Sequence, residues 1–166
     1  MKPFLFTFLL TIVFIACKKN SDRPPTFVSY LKKGNTYYRL DAAVAFYDSV
    51  SPSKTVFSLE FHNYQGNQNF ITFDFLLLEN TYSLLPGNYS FKKAIPNSAN
   101  FEPGRFLDVI IKCNTPVINS SADPATQASI TLHKTEDNYT ADGSVKINGE
   151  HYEVHFEGPI QHIKSW

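Results

Sequence analysis

Four titratable residues alternate near the carboxyl terminus: His151, Glu153, His155 and Glu157. Imidazoles and carboxylates can bind a metal ion or exchange protons, and on a β-strand this alternation would point all four to one side. However, His151 and His155 would lie about 13 Å apart on a strand, whereas each zinc ligand lies about 2 Å from the ion. A third ligand would have to come from a neighbour such as His62 or His133. We therefore expect a solvated outer face, with no metal and no cofactor.

Acid–base hydrolysis needs a different pattern, namely two carboxylates about 5 to 10 Å apart across a cleft. The available carboxylates are Glu60, Asp74, Glu102 and Asp108. Nothing in the sequence brings any two of them together, and no Gly-x-Ser-x-Gly elbow, phosphate-binding loop or cysteine–histidine nucleophile pattern is present. The sequence therefore predicts no catalytic residues and a protein that is not an enzyme, with a hydrolase as the least favoured alternative.

Aromatic side chains at polar strand positions or in turns are the remaining candidates for ligand contact. They are Tyr37, Tyr47, Tyr64 and the terminal Trp166. Exposed rings can stack on sugars or hold a protein partner, although single exposed tyrosines are also common. We predict ligand contacts at Tyr37, Tyr47 and Tyr64, with a glycan or a protein as the partner.

Alternating apolar residues indicate that strands position these groups. Tyr38 and Phe46 share the apolar side of one long predicted strand, and Tyr47 lies on its opposite side. The clearest hairpin has Asn148-Gly149 as its turn, which places Ile147 opposite Glu150 and Val145 opposite Tyr152. Further turns are predicted at Lys33-Gly34-Asn35, residues 64–69, Pro86-Gly87-Asn88 and Pro103-Gly104, and residues 114–127 form a long polar loop that could turn at Asp123-Pro124-Ala125.

About eight or nine short antiparallel strands without helical spacing predict an all-β fold. An antiparallel β-sandwich is favoured, and a calycin-like meander barrel is the alternative. Such a barrel would carry a small apolar ligand in a cavity lined by Phe57, Phe61, Phe73 and Phe75. Cys113 shares the apolar side of its strand, so we expect a small buried side chain.

The chain has a formal net charge of zero. No basic run exceeds two residues, which argues against nucleic acid as a partner, because phosphates require a clustered basic face. The only cysteines are Cys17 and Cys113.

An uncharged apolar run at residues 4–16 follows Lys2 and ends at Cys17. It is about a dozen residues long, whereas a membrane-spanning helix needs about 20, so it predicts an export signal that is cut before Cys17. The stretch Phe14-Ile15-Ala16-Cys17 resembles the lipobox of bacterial lipoproteins, although leucine is usual where Phe14 stands. The resemblance implies a lipid anchor at Cys17, to which each buried CH₂ contributes about 0.8 kcal/mol. The alternatives are an ordinary secreted protein and a short uncleaved helix.

The predicted organisation is a signal peptide at residues 1–16, a lipidated cysteine and flexible tether at 17–25, and one domain at 26–166. Three stretches, TFVSYLKKGNTYYRLDAAVAFYD, TYSLLPGNYSF and ITLHKTEDNYTADGSVKINGEHYEVHFEGPI, resemble small all-β lipoproteins of the Bacteroidota, many of which belong to families of unknown function. The resemblance implies a lipid-anchored outer-membrane protein with a binding or structural role, whose partner is a glycan or another envelope protein. It leaves open whether the domain faces the periplasm or the cell surface. Asp48-Ser49-Val50 resembles the O-glycosylation site of exported proteins in this group, which implies modification at Ser49.

Overall fold

The computed structural model describes residues 26–51, 54–64, 69–77, 83–93, 104–114 and 116–165. These residues form eleven strands and one 3₁₀ turn, and none of them forms an α-helix. The elements are β1 (Tyr30–Lys33), β2 (Thr36–Arg39), β3 (Ala42–Ser51), β4 (Lys54–His62), β5 (Phe70–Leu77), β6 (Gly87–Phe91), β7 (Arg105–Lys112), β8 (Ile118–Asn119), the 3₁₀ turn (Ser120–Ala122), β9 (Gln127–Thr135), β10 (Asn138–Ile147) and β11 (Glu150–Lys164). Within the described residues, no helix has the length and apolar character needed to cross a membrane.

Eight strands close into a barrel in the order β3-β4-β5-β7-β6-β9-β10-β11, and β11 pairs with β3 to complete the ring. The β6–β7 and β11–β3 pairs are parallel and the other pairs in the ring are antiparallel. The all-β prediction is confirmed, and of the two predicted architectures the barrel is the one that forms. The cause is the length of β11, whose 15 residues pair with β10 along one edge and with β1 and then β3 along the other. This strand joins the two ends of the sheet, so the sheet does not divide into two layers.

The barrel interior is filled by apolar side chains, as expected for a ring of eight strands. Phe57, Phe61, Phe73 and Phe75 are fully buried, and Cys113 is buried as predicted. The rings contact one another and their neighbours: the Phe61 and Phe73 centroids are 6.4 Å apart, and those of Phe73 and Phe75 are 6.5 Å apart. The first of these contacts is edge-on and the second is tilted, and aromatic pairs of this kind stabilise a core beyond the area they bury.

The long strand predicted around residues 37–47 is wrong, because the chain changes partner in its middle. β2 pairs with β1, whereas β3 pairs with β4 and β11. Between them, Leu40 donates its backbone N–H to Ser29 and Asp41 donates to His62. The change reverses which residues face the core, so that Ala45 is buried inside and Phe46 is exposed.

The turn predictions have mixed outcomes. Asn148-Gly149 forms the expected turn, with positive φ at both residues and the predicted pairs on either side. Pro86-Gly87-Asn88 does not form a turn, because Gly87 begins β6 and pairs with β9. The loop at residues 114–127 contains β8 and the 3₁₀ turn, and the turn expected at Asp123 forms.

The two ends of the barrel differ in how they are built. One end of the barrel contains Thr26, the start of β3 and the end of β4, and we call it the entry end. The opposite end, which contains the start of β7 and the β9–β10 turn, is the far end. At the entry end, the strand that pairs with this edge of β11 changes from β1 to β3. Between the two pairings, the Ser29 hydroxyl accepts a hydrogen bond from the Glu157 N–H at 2.9 Å.

Candidate functional site

Among the described residues, we consider three surface clefts around the entry end. The largest, about 630 Å³, is formed by residues 26–29, residues 39–43 and residues 156–161. The second, about 510 Å³, lies between the β1–β2 hairpin and the end of β7. The third, about 370 Å³, is lined by Glu60, His62, Asn63, Tyr64 and Phe70, and we call it the Tyr64 cleft.

The Tyr64 cleft combines an exposed ring with groups that can hydrogen bond. Glu60 and His62 alternate on β4, so both side chains point outward from the barrel, and Tyr64 follows just after the strand ends. The Tyr64 side chain is 69% exposed, and its ring meets the imidazole of His62 edge-on at 4.7 Å between centroids. Phe70 enters from the next strand, where it pairs with His62.

His62 carries a feature that singles out this cleft. Its Nδ1 lies 3.0 Å from a carboxylate oxygen of Glu60, yet this contact does not have hydrogen-bond geometry. Among the described residues, Nδ1 of His62 is the one buried side-chain nitrogen or oxygen without a hydrogen bond. Unsatisfied polar atoms are costly and uncommon in folded proteins, and a water, an ion or a ligand can supply the missing partner.

The backbone of Tyr64 is held from the neighbouring chain segment. Asp41 accepts a hydrogen bond from the Tyr64 N–H at 3.2 Å through one oxygen and pairs with Arg39 at 2.6 Å through the other. The Asn63 amide donates to the Arg39 carbonyl at 3.0 Å. Arg39 and Asp41 also line the largest of the three clefts. Their hydrogen bonds to Asn63 and Tyr64 therefore join the wall of that cleft to the wall of the Tyr64 cleft.

The predicted contact residues fall in different places. Tyr64 is exposed in a cleft. Tyr37 is half-buried on the outermost strand β2, and its ring lies edge-on to Tyr30 at 5.1 Å. Tyr47 packs against the core, 5.8 Å from the ring of Phe57, contrary to the outward orientation predicted from alternation.

Other predicted sites lie wholly or partly outside the described residues. Cys17 and Trp166 lie outside the described residues, as do the proposed signal peptide and tether. Ser49 lies on β3, which is described only as backbone at that position.

The row of His151, Glu153, His155 and Glu157 lies on the outer face of β11, as predicted. His155 is held between two carboxylates, with Nδ1 2.7 Å from Asp142 and Nε2 3.2 Å from Glu157. Burial by itself would lower the pKa of His155, but hydrogen bonds and charge from these carboxylates outweigh it, so the pKa is raised. In the described part of the chain, no group of three or more His, Cys, Asp or Glu side chains is arranged to hold a metal ion.

The structure also brings together two carboxylates that the sequence could not connect. Asp74 on β5 and Asp108 on β7 are direct cross-strand partners. Burial raises the pKa of Asp74, Asp108 raises it further, and a 2.7 Å hydrogen bond from Ser58 opposes the rise. Asp108 accepts hydrogen bonds from Asn119 and Ser120. Neither carboxylate lines one of the three clefts, so the pair has no adjoining space for a substrate among the described cavities.

The second cleft is lined by charged and polar side chains and by the thiol of Cys113. Glu150 pairs with Lys33 at 2.5 Å and accepts a hydrogen bond from the Tyr152 hydroxyl at 2.6 Å. Burial raises the pKa of the Cys113 thiol to about 12, so the nucleophilic thiolate is scarce at neutral pH.

Comparisons of the chain with protein-family models, curated proteins and solved structures found no match.

Proposed function

We propose that this chain is a lipid-anchored protein of the bacterial envelope that binds a saccharide in the Tyr64 cleft. The observation that carries the proposal is the exposed Tyr64 ring beside the carboxylate of Glu60 and the imidazole of His62. A sugar has an apolar C–H face, which can pack on an aromatic ring. Its hydroxyl groups can hydrogen bond to charged side chains, and such bonds are stronger than those between neutral groups. The cleft volume of about 370 Å³ fits one or two sugar rings better than a long polymer segment.

The anchor rests on the sequence around Cys17. Cys17 lies nine residues before Thr26, and an extended chain covers at most about 3.5 Å per residue, which gives about 30 Å. A lipid at Cys17 would therefore keep the entry end, and the Tyr64 cleft with it, close to the membrane surface. We propose outer-membrane anchoring, with either the periplasmic or the surface side as the location of the domain.

Two alternative functions have less support. A calycin-like carrier needs an apolar cavity among Phe57, Phe61, Phe73 and Phe75, but these rings pack on one another and line none of the three described clefts. A hydrolase needs two carboxylates at a cleft, and the Asp74–Asp108 pair lies away from all three. We therefore propose a binding role without catalysis, cofactor or nucleic-acid partner.

The saccharide proposal is tested by titrating the mature protein with envelope glycan fragments and measuring heat or intrinsic fluorescence. We expect Tyr64→Ala to weaken binding about fivefold to 150-fold, taking the ~1–3 kcal/mol that a nucleic-acid base gains by stacking on one aromatic ring as the guide. Tyr64→Phe keeps the ring and should retain most of the affinity. Tyr37→Ala, which removes a tyrosine from β2, is the matched control and should bind normally. Equal binding by Tyr64→Ala and the wild type would refute the saccharide site, and capture of an envelope protein instead of a glycan would replace it with a protein partner.

The anchor is tested by labelling cells with a palmitate analogue. We expect label on the wild type and none on Cys17→Ala, and only the wild type should fractionate with membranes. Protease treatment of intact cells, with a periplasmic protein as the intactness control, then distinguishes the two locations. Labelling of Cys17→Ala would place the acyl group elsewhere and contradict the lipobox interpretation.

A further inference from the structure

Leu84 closes the far end of the barrel although it lies outside any strand. Its side chain is fully buried in the core. Buried backbone without strand partners must find other hydrogen-bond partners. The Leu84 N–H donates to Nε2 of His162 at 3.2 Å, and the Leu84 carbonyl accepts from the Tyr139 hydroxyl at 3.0 Å. The next carbonyl, that of Leu85, accepts from the Tyr89 hydroxyl at 2.7 Å.

We propose that His162 is an acid-sensitive latch that holds Leu84 in the core and releases it when the imidazole takes up a proton. In the latched state Nε2 accepts a hydrogen bond, so the proton of the neutral ring must be on Nδ1. Protonation places an N–H at Nε2, where it faces the N–H of Leu84. Two donors then oppose each other, and the Leu84 amide loses its acceptor in a buried environment.

The groups around His162 favour the neutral ring. Burial lowers its pKa, the Ile160 carbonyl opposes this effect, and the positive charge of Lys134 lowers the pKa further. Tyr139 is near both groups, with its ring 6.1 Å from that of His162 and 5.3 Å from the Lys134 ammonium. On the other side His162 is paired with Ala45 of β3, which carries no charge.

The pH at which the latch opens follows from the lowered pKa of His162. A released histidine has an ordinary pKa of about 6.5, whereas the latched ring has a lower one. The latched state is therefore fully favoured above about pH 6.5. As the pH falls from there to the latched pKa, the released state gains about tenfold per pH unit, because it binds one more proton. Acidification thereby exposes Leu84 and the core-facing ends of Tyr89 and Tyr139.

The first test uses the unmodified mature protein and so does not depend on a variant that folds. Nitrogen NMR of the imidazole should show the Nδ1–H tautomer at pH 7.5 and a pKa for His162 below 6.5. The hydrogen exchange of the Leu84 amide, corrected for intrinsic chemistry, should accelerate about tenfold per pH unit below pH 6.5. A His162 pKa at or above 6.5, or a Leu84 amide whose protection does not change with pH, would overturn the proposal.

A second test separates the latch from general acid destabilisation. His162→Gln retains a side chain that can accept the Leu84 N–H but cannot titrate, so the exchange of that amide should lose its pH dependence. The matched variant His155→Gln removes a histidine from the outer face of the same strand and should keep the dependence. The same acid response in all three proteins would assign it to another group and rule out His162 as the latch.

Discussion

The entry end and the far end of the barrel are built from opposite kinds of contact. At the entry end, Tyr64 is largely exposed and its backbone is held by the Arg39–Asp41 pair, in which the arginine side chain is 58% exposed. At the far end, Leu84 and Arg105 are buried, and irregular chain is held there by the buried side chains of Arg105 and Tyr139 and by the half-buried side chain of His162. Arg105 donates to the carbonyls of Lys92 and Lys93, as Tyr139 and His162 bond the backbone of Leu84.

This difference separates the part of the molecule that stabilises the fold from the part at which we propose ligand binding. Buried hydrogen bonds and apolar contacts at the far end contribute to the free energy of unfolding, whereas solvent-exposed ion pairs contribute little. Binding residues commonly lie on loops that a rigid scaffold positions, and the segment carrying Tyr64 fits that description. Substitutions at the far end should therefore change stability, and those at the entry end should change binding.

The largest effect is expected for Leu84→Ala. Removing a fully buried leucine side chain lowers the free energy of unfolding by about 2–5 kcal/mol, because the lost contacts leave a cavity. Tyr64→Ala should change it by less than about 0.5 kcal/mol. Urea denaturation of both variants measures the two values, and a stability loss of similar size in both would remove the distinction between the ends.

A pair of arginine substitutions makes the same comparison with one residue type. Arg105→Met should lower the free energy of unfolding by about 1–3 kcal/mol, since the carbonyls of Lys92 and Lys93 lose a buried donor. Arg39→Met should have an effect below about 1 kcal/mol, because its pair with Asp41 is exposed on the arginine side. Thermal unfolding of the two variants is sufficient to rank them, and the reverse order would contradict our interpretation of the two ends.

A smaller effect, on binding, is expected for Asp41→Asn. The neutral amide weakens the charged contact with Arg39 and the hydrogen bond that positions Tyr64, so saccharide affinity should fall about threefold to tenfold. The free energy of unfolding should fall by less than about 1 kcal/mol, because both contacts of Asp41 are weakened and the site keeps a polar side chain. Titration with the glycan fragment that the wild type binds best measures the loss, and an unchanged affinity would show that Asp41 does not position the ring.

The smallest effect is expected at His155 on the outer face of β11. The pKa of His155 is raised whereas that of His162 is lowered, so the two residues change stability with pH in opposite directions. Because Asp142 and Glu157 raise the pKa of His155, its contribution to stability is fully present below about pH 6.5 and is lost as the pH rises through the raised value. His155→Gln should therefore reduce the difference in stability between pH 5.5 and pH 8.5. Denaturation at these two pH values checks the sign, and a larger difference in the variant would show that it is wrong.

The sequence predicts the strands better than it predicts their arrangement. Alternation identifies the buried faces of β4 and β5, and Asn148-Gly149 identifies the β10–β11 turn, because these signals are local. The change of partner between β2 and β3 has no local signal, so the orientation of Tyr47 is predicted wrongly. Closure by β11 depends on pairing between distant segments, which explains why barrel and sandwich remain alternatives in the sequence.

The candidate site is only partly visible in the sequence for the same reason. Tyr64 is recognisable as an aromatic residue in a turn, and Glu60 and His62 share one face of a predicted strand. Their combination with the Arg39–Asp41 pair requires the fold. Asp74 and Asp108 likewise become partners only because β5 and β7 are neighbours, with β6 between them along the chain.

The most direct test of ligand binding at the entry end is chemical-shift mapping of residues 26–166 during titration with envelope saccharides. We expect the amide signals that move to cluster at Glu60, His62, Tyr64 and Asp41, while those of Leu84 and Arg105 stay in place. The same titration of Tyr64→Ala should show no such cluster. Shifts concentrated at the far end, or shifts that persist in Tyr64→Ala, would contradict the assignment of binding to the entry end.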